Sequence, residues 1–236
     1  MVVELHAHSA YSFLDGASLP EELAASAAEL GYEALALTDH DGVYGSLEFA
    51  HAAKALGVRP ITGAEVTLQD GSHVTVLVES AAGYANLCRL LTAAHAHTRD
   101  RPGELAEPSL DQALLAELND GLVCLSGCAR HGLALRSPNG AAALAQAFGP
   151  DRFFVELQRP YERGDARRLA ALRDLAETLG VQTVVTGDAH AHHPRRTALQ
   201  DVLVAIRCRT SLDGCEAERR GNSEARADSS TFSENS

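Results

Sequence analysis

Residues 21–40, EELAASAAELGYEALALTDH, decide the fold. The first half is an alanine- and leucine-rich helical stretch, Gly31 stands where that helix should end, and the short apolar run after it closes on Asp39 and His40. Glycine ends a helix at little cost because it enters the left-handed conformation freely. A short continuous apolar run then reads as a strand covered on both faces. The same unit returns at 47–57 followed by RPITGAEV, and at 167–180 followed by VQTVVTGDAH. Further strands are VVELHAH at 2–8, HVTVLVE at 73–79, GLVCLSG at 121–127 and RFFVELQ at 152–158. About seven strands alternating with helices predict a parallel α/β architecture. Its polar residues collect at the C-terminal strand ends, where barrels carry their chemistry.

The chain has 236 residues, 45% of them hydrophobic, which is enough for one sizeable core. Residues 1–213 are expected to form that domain. From 214 to 236 the sequence turns to Glu, Arg, Ser and Asn, which predicts a disordered or poorly packed tail. A formal charge of −12 argues against a broad duplex-binding surface, which needs clustered Lys and Arg. Five cysteines without the dense spacing of a disulfide scaffold, and no signal-peptide stretch, predict a reduced cytoplasmic protein. No apolar run reaches the roughly 20 residues needed to span a bilayer, so no membrane role is expected.

The chemistry gathers at strand ends. His6 and His8 are two apart at the end of the first strand, so both imidazoles project from one face. Asp188 and His190 repeat that spacing at the end of a late strand. His40 ends ALALTDH, Glu65 lies near the end of PITGAEV, and Cys128 directly follows GLVCLSG. Imidazole, carboxylate and thiol converging on one barrel mouth form a site for borderline divalent metals. Taken singly, each residue has a plainer explanation: a lone His73 as a hydrogen-bonded strand residue, Cys128 as a small buried hydrophobe, Asp15 as a turn residue and Asp39 as a cap or turn acceptor. Such separate explanations are much less probable together than one metal centre. His51, and His95 with His97 on an expected 84–97 helix, are left out of the centre. His131, His192 and His193 read as solvated loop residues.

In order and spacing, HAHSAYSFLDG at 6–16, TDHDGVYG at 38–45, GAEV at 63–66, LSGC at 125–128 and GDAH at 187–190 resemble the motifs of the polymerase and histidinol phosphatase (PHP) family. Between the motifs, NLCRLLTAAHAHTRDRPGE, FFVELQRP and LQDVLVAIRCRTSLDGCEAERRGN are similar to the error-prone branch of bacterial DNA polymerase III α-type enzymes. The resemblance covers about residues 1–213. It implies a distorted seven-stranded (β/α)7 PHP barrel with nine ligands for up to three divalent ions, Zn, Mn or Fe in preference to Mg. Carried over by position, the ligands are His6, His8, Asp15, His40, Glu65, His73, Cys128, Asp188 and His190, with none missing. The implied activity is hydrolysis of a phosphate ester by a metal-bound water, with no separate side-chain base, and the 3′ end of DNA is the expected substrate in a 3′-5′ exonuclease reaction. With Cys128 as thiolate the ligands carry about −4, and three divalent ions would leave about +2, enough to attract a phosphodiester to an acidic chain. Arg130, Arg159, Arg163, Arg195 and Arg196 follow strand ends and are candidates to hold phosphate. The setting implied is DNA replication and repair, with a polymerase core and other repair proteins as partners. Residues 1–236 offer no candidate polymerase palm. A metal-stabilised structural module and a phosphatase for a small phosphate ester are the competing readings.

Overall fold

The computed structural model describes residues 3–100, 106–216, 218 and 219. Strands and helices follow along them as β1 Val3–Glu4, α1 Pro20–Glu29, β2 Ala34–Leu37, α2 Ser46–Ala55, β3 Arg59–Thr67, β4 His73–Val78, α3 Ala81–Ala94, α4 Gln112–Glu117, β5 Leu122–Leu125, α5 Leu133–Arg136, α6 Pro138–Phe148, β6 Phe153–Leu157, α7 Asp165–Leu179, β7 Gln182–Val185 and α8 Thr197–Arg207, alternating except at β3–β4, α3–α4 and α5–α6. The strands form one seven-stranded sheet in sequence order. At the mouth its two ends meet, because His8 N–H donates to the Ala189 carbonyl at 2.8 Å and Ala189 N–H to the His6 carbonyl at 3.0 Å. Gly31, Gly57 and Gly180 take φ of +75°, +79° and +66°, so the expected helix terminators act as such.

The sheet is not wholly parallel. β4 runs antiparallel to both β3 and β5, while the other pairs are parallel. Only Leu68 to Ser72 separate β3 from β4, too few residues for a crossover. Asp70 and Gly71 make the turn: Asp70 Oδ1 accepts from Ser72 N–H at 2.8 Å, and Gly71 sits at φ +76°. The inversion brings the first residue of β4, His73, to the end of the barrel where the parallel strands finish.

Side chains alternate across the strands. On β2, Leu35 and Leu37 face a core with Leu23 and Phe49 of α1 and α2, while Ala36 packs with Leu77 and Leu125 in a second cluster. A larger core lies under α3, α6 and α7 around Leu87, Leu90, Leu144 and Phe153. The expectation of burial on both faces fails at β7, where Val185 is 55% exposed. The next helix, α8, begins only after a loop and packs on flanking 3₁₀ turns rather than on this strand's face.

The expected tail is corrected at its start. Asp213–Cys215 form a 3₁₀ turn, Cys215 is buried against Val204, Ala205 and Cys208, and Arg219 approaches Asp201 at 3.6 Å. Residues 217 and 220–236 lie outside the described residues. All five cysteines are free thiols. Among the described residues no helix is long and apolar enough to cross a membrane.

Candidate metal centre

The loops and strand ends at the mouth bring the candidate ligands together. His6 Nε2 lies 3.0 Å from His8 Nε2, 3.6 Å from Asp188 Oδ1 and 3.7 Å from Glu65 Oε2. Glu65 Oε2 also lies 3.1 Å from His40 Nδ1, and Glu65 Oε1 lies 3.2 Å from His73 Nδ1. Asp15 Oδ2 meets His190 Nε2 at 3.1 Å and His40 Nε2 at 3.3 Å. Two donor atoms each about 2.1 Å from a shared ion stand about 3.0–3.6 Å apart at ordinary coordination angles. His6, His8 and Asp188 meet that spacing at every pair, and the donor atoms of two further trios, His8, His40 and His190 and also His40, Glu65 and His73, lie within 4.8 Å of one another. Cys128 is buried and lines the same cavity of about 270 Å³ as Asp15, His40, Glu65 and His73.

Hydrogen bonds on the far side of the rings set their tautomers. His6 Nδ1 donates to Glu156 Oε1 at 2.7 Å, His8 Nδ1 to Ser12 Oγ at 3.0 Å and His190 Nδ1 to the Asp188 carbonyl at 2.9 Å. Ser12 Oγ is itself turned to accept, because its own proton goes to Asp39 Oδ1 at 2.8 Å. In all three rings Nε2 therefore points inward, so that the neutral imidazole would present its lone pair there, which is the form a metal takes. Buried Glu65 Oε1 and His73 Nδ1, although close, have no hydrogen-bond partner of their own. A shared cation would satisfy both. By tautomer, spacing and chemistry the donor set fits divalent ions.

The charge balance leads to the same place. Burial disfavours protonated His6 and His40, but Glu156 and Asp188 override it at His6, and Glu65 and Asp15 raise His40 to about 9. Burial likewise opposes ionised Glu65, yet His40 and His6 hold its carboxyl well below the usual range. Burial, then Glu65 and Asp188, push the Cys128 thiol well up, so the thiolate that the sequence suggested requires a cation beside it.

Local backbone explains the aim of these groups. Asp188 takes φ +52° and Leu14, next to Asp15, φ +60°, unfavourable conformations that gather at functional sites. Gly127, at φ +93°, runs so close to β4 that an added Cβ would fall 2.0 Å from the His73 carbonyl oxygen, and this approach sets the place of Cys128. Asp39 proves to be a buried acceptor for Ser9 N–H, Ser9 Oγ and Ser12 Oγ, holding the first motif in shape.

The arginines are distributed otherwise than expected. Arg130 lines the cavity, but its guanidinium is engaged by Glu162 Oε1 and by the Glu218 and Arg219 carbonyls. Arg159 lies over the Tyr161 ring at 4.8 Å, Arg196 pairs with Glu22, and Arg195 is exposed on a 3₁₀ turn; none of the three lines the cavity. Arg163 is exposed before α7 and does not line it either. Arg207, at the end of α8, does, with Nη1 3.2 Å from Asp15 Oδ1. His95 is also misplaced by the sequence: α3 ends at Ala94, and His95 Nε2 donates to the Asp41 carbonyl at 2.8 Å, bracing the loop beside His40.

Sequence reasoning missed Glu4 and Glu156. Glu4 accepts from Leu5, His6 and Gly187 N–H and so ties the two ligand pairs together. Glu156 accepts from His6, Gln158 and Thr186 inside the barrel. An acid within the apolar run FFVEL is the signal that could have found it. Glu156→Gln keeps the shape and removes the charge. It is expected to weaken metal affinity about ten- to a hundredfold, as loss of a partner behind a ligand does. Titration in metal-buffered solution checks this, and unchanged affinity would remove Glu156 from the ligand support.

The PHP domain pattern matches residues 4–160. The chain is 40% identical over 235 residues to an error-prone DNA polymerase of Symbiobacterium thermophilum, covering 92% of this chain and 22% of that protein. It is 44% identical over 229 residues to an error-prone DNA polymerase of Mycobacterium tuberculosis, covering 89% of this chain and 20% of that one. It thus spans about a fifth of the length of these relatives. Among solved structures, a metal-dependent phosphoesterase of Bifidobacterium adolescentis superposes with a TM-score of 0.57 at 17% identity, over 80% of this chain and 87% of that one. The matched span carries the mouth from the first ligand pair through Cys128, and the chain belongs to the PHP domain family.

Proposed function

We propose that this chain is a metal-dependent phosphoesterase that hydrolyses the 3′-terminal phosphodiester of DNA, within an error-prone DNA polymerase that serves replication and translesion repair. The observation that carries the reading is the gathering of seven donors in three overlapping trios, with three imidazoles oriented by bonds behind them and with Asp15 and Cys128 lining the cavity beside them. His6, His8 and Asp188 would hold one ion, while His40, Glu65, His73, His190, Asp15 and Cys128 would hold its neighbours. Zn, Mn or Fe suit this mixture better than Mg. Bound there, divalent ions would supply an acidified water and positive charge for the phosphoryl oxygens. Arg207, paired with Asp15 at the rim, is placed to orient a phosphate, and Arg130 backs the same cavity. The choice of DNA rests on the relatives, whose names place them in DNA synthesis. A polymerase core and repair proteins are the partners this implies, in the cytoplasm.

The test pairs elemental analysis with two substrates. Purified protein should carry more than one divalent ion per chain, because nine donors exceed what one tetrahedral or octahedral ion uses. It should shorten 5′-labelled single-stranded DNA from its 3′ end, and lose this on chelation. One ion or none after reconstitution would overturn the multi-metal centre. Metal without hydrolysis of DNA or of p-nitrophenyl phosphate would favour a metal-stabilised module, the reading suited to ligands that join the ends of β1, β3 and β7. Hydrolysis of the small ester alone would favour a phosphatase.

A further inference from the structure

We propose that the loops after β1 and β2 form a track for single-stranded nucleic acid leading away from the metal centre, with Phe13 and Tyr44 as successive base platforms. The proposal deepens the phosphoesterase reading and rests on it for where the strand ends.

The chain has no Trp, six Phe and five Tyr, yet these two loops expose Tyr11, Phe13 and Tyr44. Phe13 is 83% exposed and Tyr44 62%. Leaving a large apolar side chain in water forgoes roughly 1.5–3 kcal/mol of burial, and packing gives no reason for it here. The left-handed Leu14 separates the roles of its neighbours: Asp15 is buried toward the ligands and Phe13 stays outside. Tyr44 is braced from behind, since a Cβ on Gly42 would fall 2.3 Å from its ring. The ring thus lies close against Gly42, which limits its motion.

Cavities connect these platforms to the centre. The 270 Å³ cavity over the ligands shares Asp15, His40 and His73 with one of about 660 Å³ that Phe13, Arg207 and Arg209 also line. That cavity shares Asp41 with a third of about 560 Å³, lined by Tyr44 and Arg99. Stacking surfaces alternating with cations along a groove are how single strands are bound without regard to sequence. Arg99 and Arg209 give local positive charge on an acidic chain, while Arg207 is shared with Asp15. Of the carboxylates there, Asp15 is paired with Arg207, Asp41 is already occupied by Thr67 N–H and Oγ1, each at 2.8 Å, and Glu107 lines both the first and the second cavity. Successive bases would stack on Phe13 and then on Tyr44 while the terminal phosphodiester reaches the ligands.

The test is anisotropy titration of a fluorescent ten-nucleotide oligothymidylate with the full chain, in buffer containing chelator so that no cleavage occurs. Stacking worth about 1–3 kcal/mol per base predicts that Phe13→Ala and Tyr44→Ala each weaken binding about tenfold, and the double variant about a hundredfold. Phe13→Tyr should keep parental affinity, and so should Leu56→Ala, a control at the far end of α2. Parental affinity in both alanine variants, as expected if a protein partner covers these rings, would overturn the track, and so would failure of the parent to bind. Hydrolysis of p-nitrophenyl phosphate separates the two proposals. Activity on it with unaltered strand binding in the variants sinks the track alone, whereas ring-dependent binding without any hydrolysis leaves the track and sinks the phosphoesterase.

Discussion

Replacing His6 and His8 together by alanine is expected to abolish phosphoesterase activity and to lower metal content by at least one ion per chain. Both imidazoles are fully buried, their Nε2 atoms lie 3.0 Å apart, and both approach Asp188 within hydrogen-bonding range or just beyond it. Ligand support alone is worth about ten- to a hundredfold in affinity or activity, so loss of two ligands should exceed a hundredfold. Asp188→Asn should act in the same direction with less change of shape, because it removes a negative charge and keeps the volume. His51→Ala, on the exposed face of α2, should leave activity near that of the parent. Since alanine at His6 also strands Glu156, circular dichroism and melting in chelator must show that the double variant is folded. Activity surviving in a folded double variant would refute the catalytic reading.

That experiment needs controls chosen from the structure, because the sequence was legible only in part. The strand-end pairs were plain, since the two-residue period and the apolar runs put His6 with His8 and Asp188 with His190 on single faces. The inverted β4 was encoded in Asp70 and Gly71, but helix and strand alternation elsewhere concealed the hairpin, and with it the reason His73 reaches the mouth. His95 looked like a safe control, because helical periodicity carries no information on where a helix stops. Its bond to the Asp41 carbonyl places it one loop from His40. Glu4, Glu156 and Arg207 escaped for a different reason: each acts through a contact distant in sequence, and a lone acid or arginine has no local pattern. His6 meets Glu156 across 150 positions, and Arg207 meets Asp15 across almost the whole barrel chain.

Metal removal should be the largest stability change open to the unmodified protein, and its pH dependence has a definite sign. In the metal-free chain His40 is raised to about 9 by Glu65 and Asp15 against the cost of burial, and His6 is raised by Glu156 and Asp188. A histidine whose folded pKa exceeds its unfolded value contributes stability fully below about 6.5 and loses it as pH rises through the folded value. The metal-free protein therefore loses this contribution between about pH 6.5 and 9. Metal and proton compete for the same nitrogens, and Cys128 must also release a proton to bind, so metal affinity rises over that window. An ion present at about a thousand times its dissociation constant adds about 4 kcal/mol, on the order of 10 °C in melting temperature for a domain of this size. Chelation should thus lower the melting temperature by roughly that much, and by more at pH 9 than at pH 6.5. Calorimetric titration of metal into chelator-stripped protein at pH 7, in two buffers of different ionisation enthalpy, should show proton release. Equal melting temperatures with and without chelator across this range, together with uptake that releases no protons, would mean that these buried imidazoles and carboxylates balance one another and hold no ion.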